Sequence, residues 1–266
     1  MRVGIQILSQ VVCLVDSPKG FRLFGMNWLQ LFHLAAQSIQ RIRSASGAIK
    51  AFVFYFLMTF RTLNEARWIL GPLLVIWILG FLFYPLCTLP ITLALAFTVY
   101  FFRDPERLTP SDPKAIVSPA DGKVVSVEEV EETEFLHKRM QRISIFLSVF
   151  DVHVNRAPIE GTVVHSTFKK GAFFDARDPR SSMANQSRSW LFSDGKNQVV
   201  VRQITGAIAR RIVAWSQVGD KLQKGERFGM IRFGSRTELY LPLDAKIEIT
   251  VGAPVRGGQS VLALFS

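Results

Sequence analysis

The chain has 266 residues, 32 Lys and Arg against 21 Asp and Glu, a formal net charge of +11, and 49% hydrophobic residues. Its two cysteines, Cys13 and Cys87, are too far apart in context for a disulfide framework, and no His or Cys spacing suggests a metal site. The basic excess comes without a run of basic and aromatic residues, zinc spacing or a helix-turn-helix pattern, which argues against nucleic acid as partner.

Residues 1–67 form a basic extension with eight Lys and Arg against Asp16 and Glu65. Apolar residues at helical spacing over 27–42 and a short apolar run over 51–60 make it partly helical. No cleavage site follows a signal-like stretch. Met58 stands just ahead of the main apolar segment as a second candidate start, a point N-terminal mass analysis of the native protein decides.

Residues 68–102 carry no formal charge over 35 positions. A helix of about 20 apolar residues crosses a bilayer, so one span fits easily, whereas two spans divided near Pro85 and Pro90 are short. The expectation is one span or a short hairpin. Both flanks are basic and the centre is uncharged, which puts both on the cytoplasmic side of the cell membrane, against an anionic surface.

From residue 103 to 266 the pattern changes to short strands. Alternating or β-branched runs lie at 122–127, 142–149, 161–164, 198–204, 228–233, 237–241 and 246–251, most bounded by Gly, Pro or Asp. Glu128 to Glu134 form an acidic stretch, read as a solvated loop before His137. The pattern Pro-x-x-Gly-x-Val occurs in Ser118-Pro-Ala-Asp-Gly-Lys-Val124 and again in Ala157-Pro-Ile-Glu-Gly-Thr-Val163. Together with the paired glycines of Val218-Gly-Asp-Lys-Leu-Gln-Lys-Gly225, it resembles the barrel-sandwich of biotinyl and lipoyl carrier domains. The expected fold is therefore mainly β, a barrel-sandwich-like soluble domain behind an N-terminal helical membrane segment.

Gly234-Ser235 sits between the two strand-like runs 228–233 and 237–241, with 32 residues from Ser235 to the end. A serine after glycine in a strained turn can attack the preceding carbonyl, because glycine reaches φ > 0 without a Cβ clash. Such a reaction needs a base and oxyanion donors, the logic of acyl transfer. Of the four histidines, His153 lies in Asp151-Val-His-Val-Asn-Arg-Ala-Pro158, directly after an apolar strand.

These segments, with Ile208-Ala-Arg-Arg-Ile-Val-Ala-Trp215, Lys224-Gly-Glu-Arg-Phe-Gly229 and Ile231-Arg-Phe-Gly-Ser-Arg236 at consistent spacing, resemble the phosphatidylserine decarboxylases, in the short bacterial and archaeal form. The resemblance covers about 102–264 and implies self-cleavage between Gly234 and Ser235 within a decarboxylase domain 103–266. It implies that Ser235 becomes a covalent pyruvoyl cofactor, which forms a Schiff base with phosphatidylserine and yields phosphatidylethanolamine for phospholipid biosynthesis. The partners implied are phosphatidylserine in the bilayer and, between the two cleaved chains, a heterodimer. A triad role follows for Ser235, His153 and Asp121. Where longer relatives carry a second histidine this chain has Arg156, a candidate phosphate contact. A second departure falls after Gly171, where of an Asn-Glu-Arg motif only Asn185 matches.

Two other readings compete. A membrane-tethered barrel-sandwich adaptor without catalysis would carry a modifiable Lys beside Met, or long heptads, and the chain has neither. A serine hydrolase using the same three residues lacks the Gly-x-Ser-x-Gly elbow.

Overall fold

The computed structural model describes residues 47–83, 88–207, 211–232 and 234–266. The expected helix over 27–42, both cysteines, His33 and the Pro85 hinge lie outside them. Two compact units divide the chain, Met1–Leu57 and Met58–Ser266, and the described residues of the first are the opening turns of α1 (Gly47–Phe83).

Helix α1 continues through Pro72 to Phe83 and α2 spans Leu89–Phe101, opened by Pro90 in its first turn, where a missing N–H costs nothing. The legs lie side by side: Trp77 Nε1 donates to Thr92 Oγ1 at 2.8 Å, and a Cβ on Gly80 would sit 3.4 Å from Thr88 Cγ2. Ala66, Phe101 and Phe102 are fully buried against Val213 and Met230, so the bases of both legs are fixed to the β domain. Beyond the bases, Leu74, Val75, Ile78, Phe81, Phe83, Leu89, Leu93 and Val99 are exposed. Among the described residues one helical stretch, Arg61–Phe83, is long and apolar enough to cross a membrane.

The β domain is built from three antiparallel sheets. The largest orders eight strands as β13 (Pro254–Val255), β2 (Gly122–Glu132), β3 (Lys138–Leu147), β11 (Ser235–Leu241), β7 (Gln198–Thr205), β6 (Ser187–Ser193), β5 (Gly161–Lys169) and β9 (Lys221–Leu222). The second orders β4 (Val154–Arg156), β10 (Arg227–Ile231) and β8 (Ile212–Ala214). The third orders β1 (Ala115–Val117), β14 (Val261–Leu264) and β12 (Lys246–Ile247). Residues from all three, including Ile116, Ile145, Trp190, Phe192, Phe228, Leu239 and Leu262, share one core. The mainly β, barrel-sandwich-like domain behind a helical segment is thus what the chain forms. Glycines of the repeated motif, Gly122 and Gly161, open β2 and β5.

One local expectation is corrected. The acidic stretch is not a loop up to residue 132 but the second half of β2, with Glu128 opposite Arg142 and Glu132 opposite Lys138 on β3. Cross-strand opposite charges, such as Arg142 to Glu128 at 2.8 Å, offset the low strand preference of Glu.

Candidate active site at the Gly234–Ser235 corner

The chain leaves one sheet and enters another at this corner. β10 ends at Ile231, and β11 begins at Ser235 as a central strand, with Ser235 opposite Leu147 on β3 and Thr205 on β7. Between the two sheets the chain bends through Gly234 at φ +64°. A Cβ there would meet only Val149 Cγ1, at 3.7 Å, so the backbone angle and not space is what demands glycine.

His153 holds the corner from the other side. Its backbone carbonyl accepts from Ile231 N–H at 3.2 Å, and its ring Nε2 accepts from Gly234 N–H at 3.0 Å. An imidazole nitrogen that accepts from a backbone N–H carries no proton, so the proton sits on Nδ1 and is donated to the Asp151 carbonyl at 2.9 Å. Both neighbours thereby fix one neutral tautomer. Phe101, at the end of α2, packs its ring 4.3 Å from the imidazole and helps bury it. Burial pushes the His153 pKa down to about 4, against the pull of the Asp151 carbonyl and carboxylate.

A depressed histidine pKa makes stability fall as pH drops, because below the ordinary value of about 6.5 the unfolded chain takes up the proton first. The loss sets in near pH 6.5 and is complete near pH 4, amounting to about 3 kcal/mol. Urea denaturation at pH 7 and pH 4.5 is expected to show a larger drop for the native sequence than for His153→Gln, which cannot titrate. Equal drops would remove His153 as the cause.

Ser235 is fully buried, and among the described residues its Oγ has no hydrogen-bond partner. An orphaned hydroxyl costs on the order of 1–3 kcal/mol and points to a chemical use. Beside it, Gly206 comes so close to the Gly234–Ser235 peptide that a Cβ would lie 2.6 Å from the Gly234 carbonyl oxygen. The carbonyl oxygen is therefore walled by backbone just past the end of β7. The substitution Gly206→Ala is expected to displace that oxygen and slow any reaction at the Gly234 carbonyl by about a hundredfold, read as the rate at which the chain is cut.

Asp121 lies elsewhere in the hydrogen-bond pattern. Its carboxylate accepts from Arg107 at 2.6 Å and from Gly257 N–H at 2.7 Å, and no hydrogen bond to His153 is formed; the Asp151 carbonyl fills that position. Burial raises the Asp121 pKa above the ordinary carboxylate range, against the Arg107 charge. Arg156 is buried, donating to Asp104 at 2.8 Å, to the Pro105 carbonyl at 2.9 Å and to the Gly225 carbonyl at 3.1 Å. Its guanidinium faces the segment that follows the helical hairpin.

Asn185 does act on the site. Its side chain donates to the carbonyls of Phe174 and Thr205 and accepts from Phe174 N–H, and Thr205 is the residue opposite Ser235. Residues 171–185 are thereby tied to the strand beside Ser235, with Ala176 3.3 Å from the Cβ position of Gly206. Sequence reasoning did not single out Phe101, the Asp151 carbonyl or Gly206. Adjacency to the Asp-x-His segment was a signal for Asp151; the other two come from parts of the chain distant in sequence.

A family model described as phosphatidylserine decarboxylase matches residues 94–263. A protein of Geobacter sp. (strain M21) is 46% identical over 170 residues, covering 64% of this chain and 77% of its own length. One from Syntrophus aciditrophicus is 47% identical over 182 residues, covering 68% and 84%, and one from Desulfotalea psychrophila is 45% identical over 171, covering 64% and 80%. Each of the three is named phosphatidylserine decarboxylase proenzyme. The matched region contains the corner, its histidine and the strands that pin them, and the chain belongs to the phosphatidylserine decarboxylase family.

Proposed function

We propose that this chain is a self-processing phosphatidylserine decarboxylase, cut between Gly234 and Ser235, that makes phosphatidylethanolamine with a pyruvoyl group derived from Ser235. The observation that carries the reading is the buried, unpartnered Ser235 Oγ next to a left-handed Gly234 held by a neutral histidine. The proenzyme names of the relatives support it.

The cut follows from groups already in place. The His153 Nε2 lone pair moves from Gly234 N–H to Ser235 Oγ–H, one residue on, and takes its proton. Oγ attacks the Gly234 carbonyl, the C–N bond breaks, and the peptide becomes an ester with a free amine on residue 235. Loss of the α-proton of residue 235 expels the Gly234 carboxylate and leaves dehydroalanine. Water then replaces its nitrogen, releasing ammonia and leaving a ketone. The orphaned Ser235 oxygen fits this conversion, because no hydrogen bond is broken when it leaves.

The pyruvoyl carbonyl supplies an electron sink for loss of the substrate carboxylate. Around it, His153 handles the proton returned to the α-carbon, and Phe101 with the buried ends of β3, β7 and β11 keeps water out. Asp121 supports the site through Arg107 and Gly257 rather than through the imidazole.

The helical hairpin delivers the enzyme to its lipid. Residues 71–83 and the 13-residue α2 each rise about 20 Å, less than the roughly 30 Å hydrocarbon core. With both bases packed on the β domain, the legs dip into one leaflet and return. The domain then rests on the cytoplasmic surface of the cell membrane, with Arg61, Arg67, Arg103 and Arg211 around the bases facing anionic headgroups.

Intact mass analysis of the denatured native protein tests this. Two chains are expected, the smaller of 32 residues blocked by a pyruvoyl group, from a preparation that releases CO2 from phosphatidylserine. One intact chain in an active preparation would overturn the reading.

A further inference from the structure

We infer that Asn155 is a positioning residue that sets the geometry of the corner, an inference resting on the self-cleavage reading above. Asn155 is fully buried on β4, in the small sheet, and its side chain reaches across to the large one. Its Nδ2 donates to the Pro119 carbonyl and to Thr237 Oγ1, each at 3.2 Å, and its Oδ1 accepts from Gln203 Nε2 at 2.8 Å. Gln203 Oε1 in turn accepts from Trp190 Nε1 at 2.7 Å.

The direction of this chain of bonds is fixed by its ends. An indole nitrogen only donates and a proline carbonyl only accepts, so both amides have one permitted orientation. Every polar atom of Asn155 is engaged, in a core where a lost partner is expensive.

Each partner lies two residues from a residue of the site. Asn155 follows His153 by two, Pro119 precedes Asp121 by two, and Thr237 follows Ser235 by two. Ser235 and Thr237 share a face of β11, so a side chain fixed at Thr237 orients Ser235, while Asn155 and Pro119 anchor the chain two residues from His153, just ahead of β4, and from Asp121, in the same turn. Ser235 and Thr237 are both on β11, facing the core side that Leu239 and Leu241 continue. Asn155 therefore holds the histidine segment, the Asp121 turn and the nucleophile strand at one spacing. Because β4 and β11 belong to different sheets, no backbone ladder sets that distance.

Asn155→Ala removes three bonds at once and endangers folding, so the deciding variant is Thr237→Val, which keeps shape and removes one acceptor. The full-length chain is synthesised in vitro, and the appearance of two chains is timed at a temperature where each variant is folded by circular dichroism. Thr237→Val is expected to cut at least about tenfold more slowly, and Thr237→Ser, which restores the hydroxyl, within about twofold of the native rate. In mature protein, Thr237→Val is expected to lower kcat for phosphatidylserine with KM unchanged. Native rates of cutting and turnover in folded Thr237→Val would overturn the positioning role while leaving the functional reading intact. A native chain that is never cut would overturn both.

Discussion

Ser235→Ala is expected to leave a single chain of 266 residues with no decarboxylase activity, and to leave the fold at least as stable as before. Both halves follow from one atom. Ser235 Oγ is buried without a hydrogen bond, so no folded-state contact is lost with it. Removing an unsatisfied buried hydroxyl relieves a desolvation cost on the order of 1 kcal/mol or more, and the methyl that remains fits the same space. On the self-processing reading proposed above, the same atom is the nucleophile whose attack opens the route to the ketone at Cα of residue 235, so its loss abolishes the cut and the electron sink together. Turnover then falls to the uncatalysed background, a loss of at least about a millionfold. Intact mass, CO2 release and a urea melt on one preparation read all three. A Ser235→Ala chain that is still cut after Gly234 would place the nucleophile elsewhere, and a large drop in stability would mean that Oγ has a partner.

Asp104→Ala is expected to destabilise the β domain by about 3–5 kcal/mol, and Glu106→Ala by less than about 1 kcal/mol. Asp104 directly follows Arg103 in the segment that joins α2 to the β domain, and its side chain is 0% exposed. One oxygen accepts from Arg156 and the other from Arg227. Removing the carboxylate leaves two buried guanidiniums short of a counter-charge, which costs far more than the pair's net worth. Glu106 also meets Arg227, at 2.9 Å, but is 53% exposed, so solvent screens and replaces it. For a domain of about 200 residues the larger loss lowers Tm by roughly 10 °C. Urea midpoints of the two variants decide between burial and simple charge counting; equal effects would mean that the Asp104 pair is not desolvated. The same pair explains why Arg156 is committed to the base of the hairpin: its guanidinium is the counter-charge for Asp104.

Much of the site was legible because its chemistry is local. Gly234-Ser235 between two strand-like runs and the Asp-x-His segment after an apolar strand are contiguous signals, and strands and turns are decided by neighbouring residues. The uncharged run 68–102 marked an apolar helical segment by length alone. The acidic run 128–132 misled, since the Lys and Arg residues that make it a strand lie on β3 and no single-segment reading includes them. Asp121 is the clearest case of a residue found by motif but placed by the fold. Its turn is as expected, yet its carboxylate faces Arg107 and Gly257 because those groups arrive from the hairpin exit and from the loop before β14.

By itself, then, the sequence determined the Gly234-Ser235 corner, the histidine beside it, the mainly β domain and the apolar segment, each carried by contiguous runs of residues. Only the tertiary structure decided the rest: the neutral Nδ1–H tautomer of His153, the Phe101 ring against it, the backbone of Gly206 at the Gly234 carbonyl, and the Asn155 link between sheets. Those depend on contacts between segments 30 to 80 residues apart. A hydrogen bond's direction and a side chain's burial are set by whatever the far segment places opposite, and that partner is chosen by how the sheets pack.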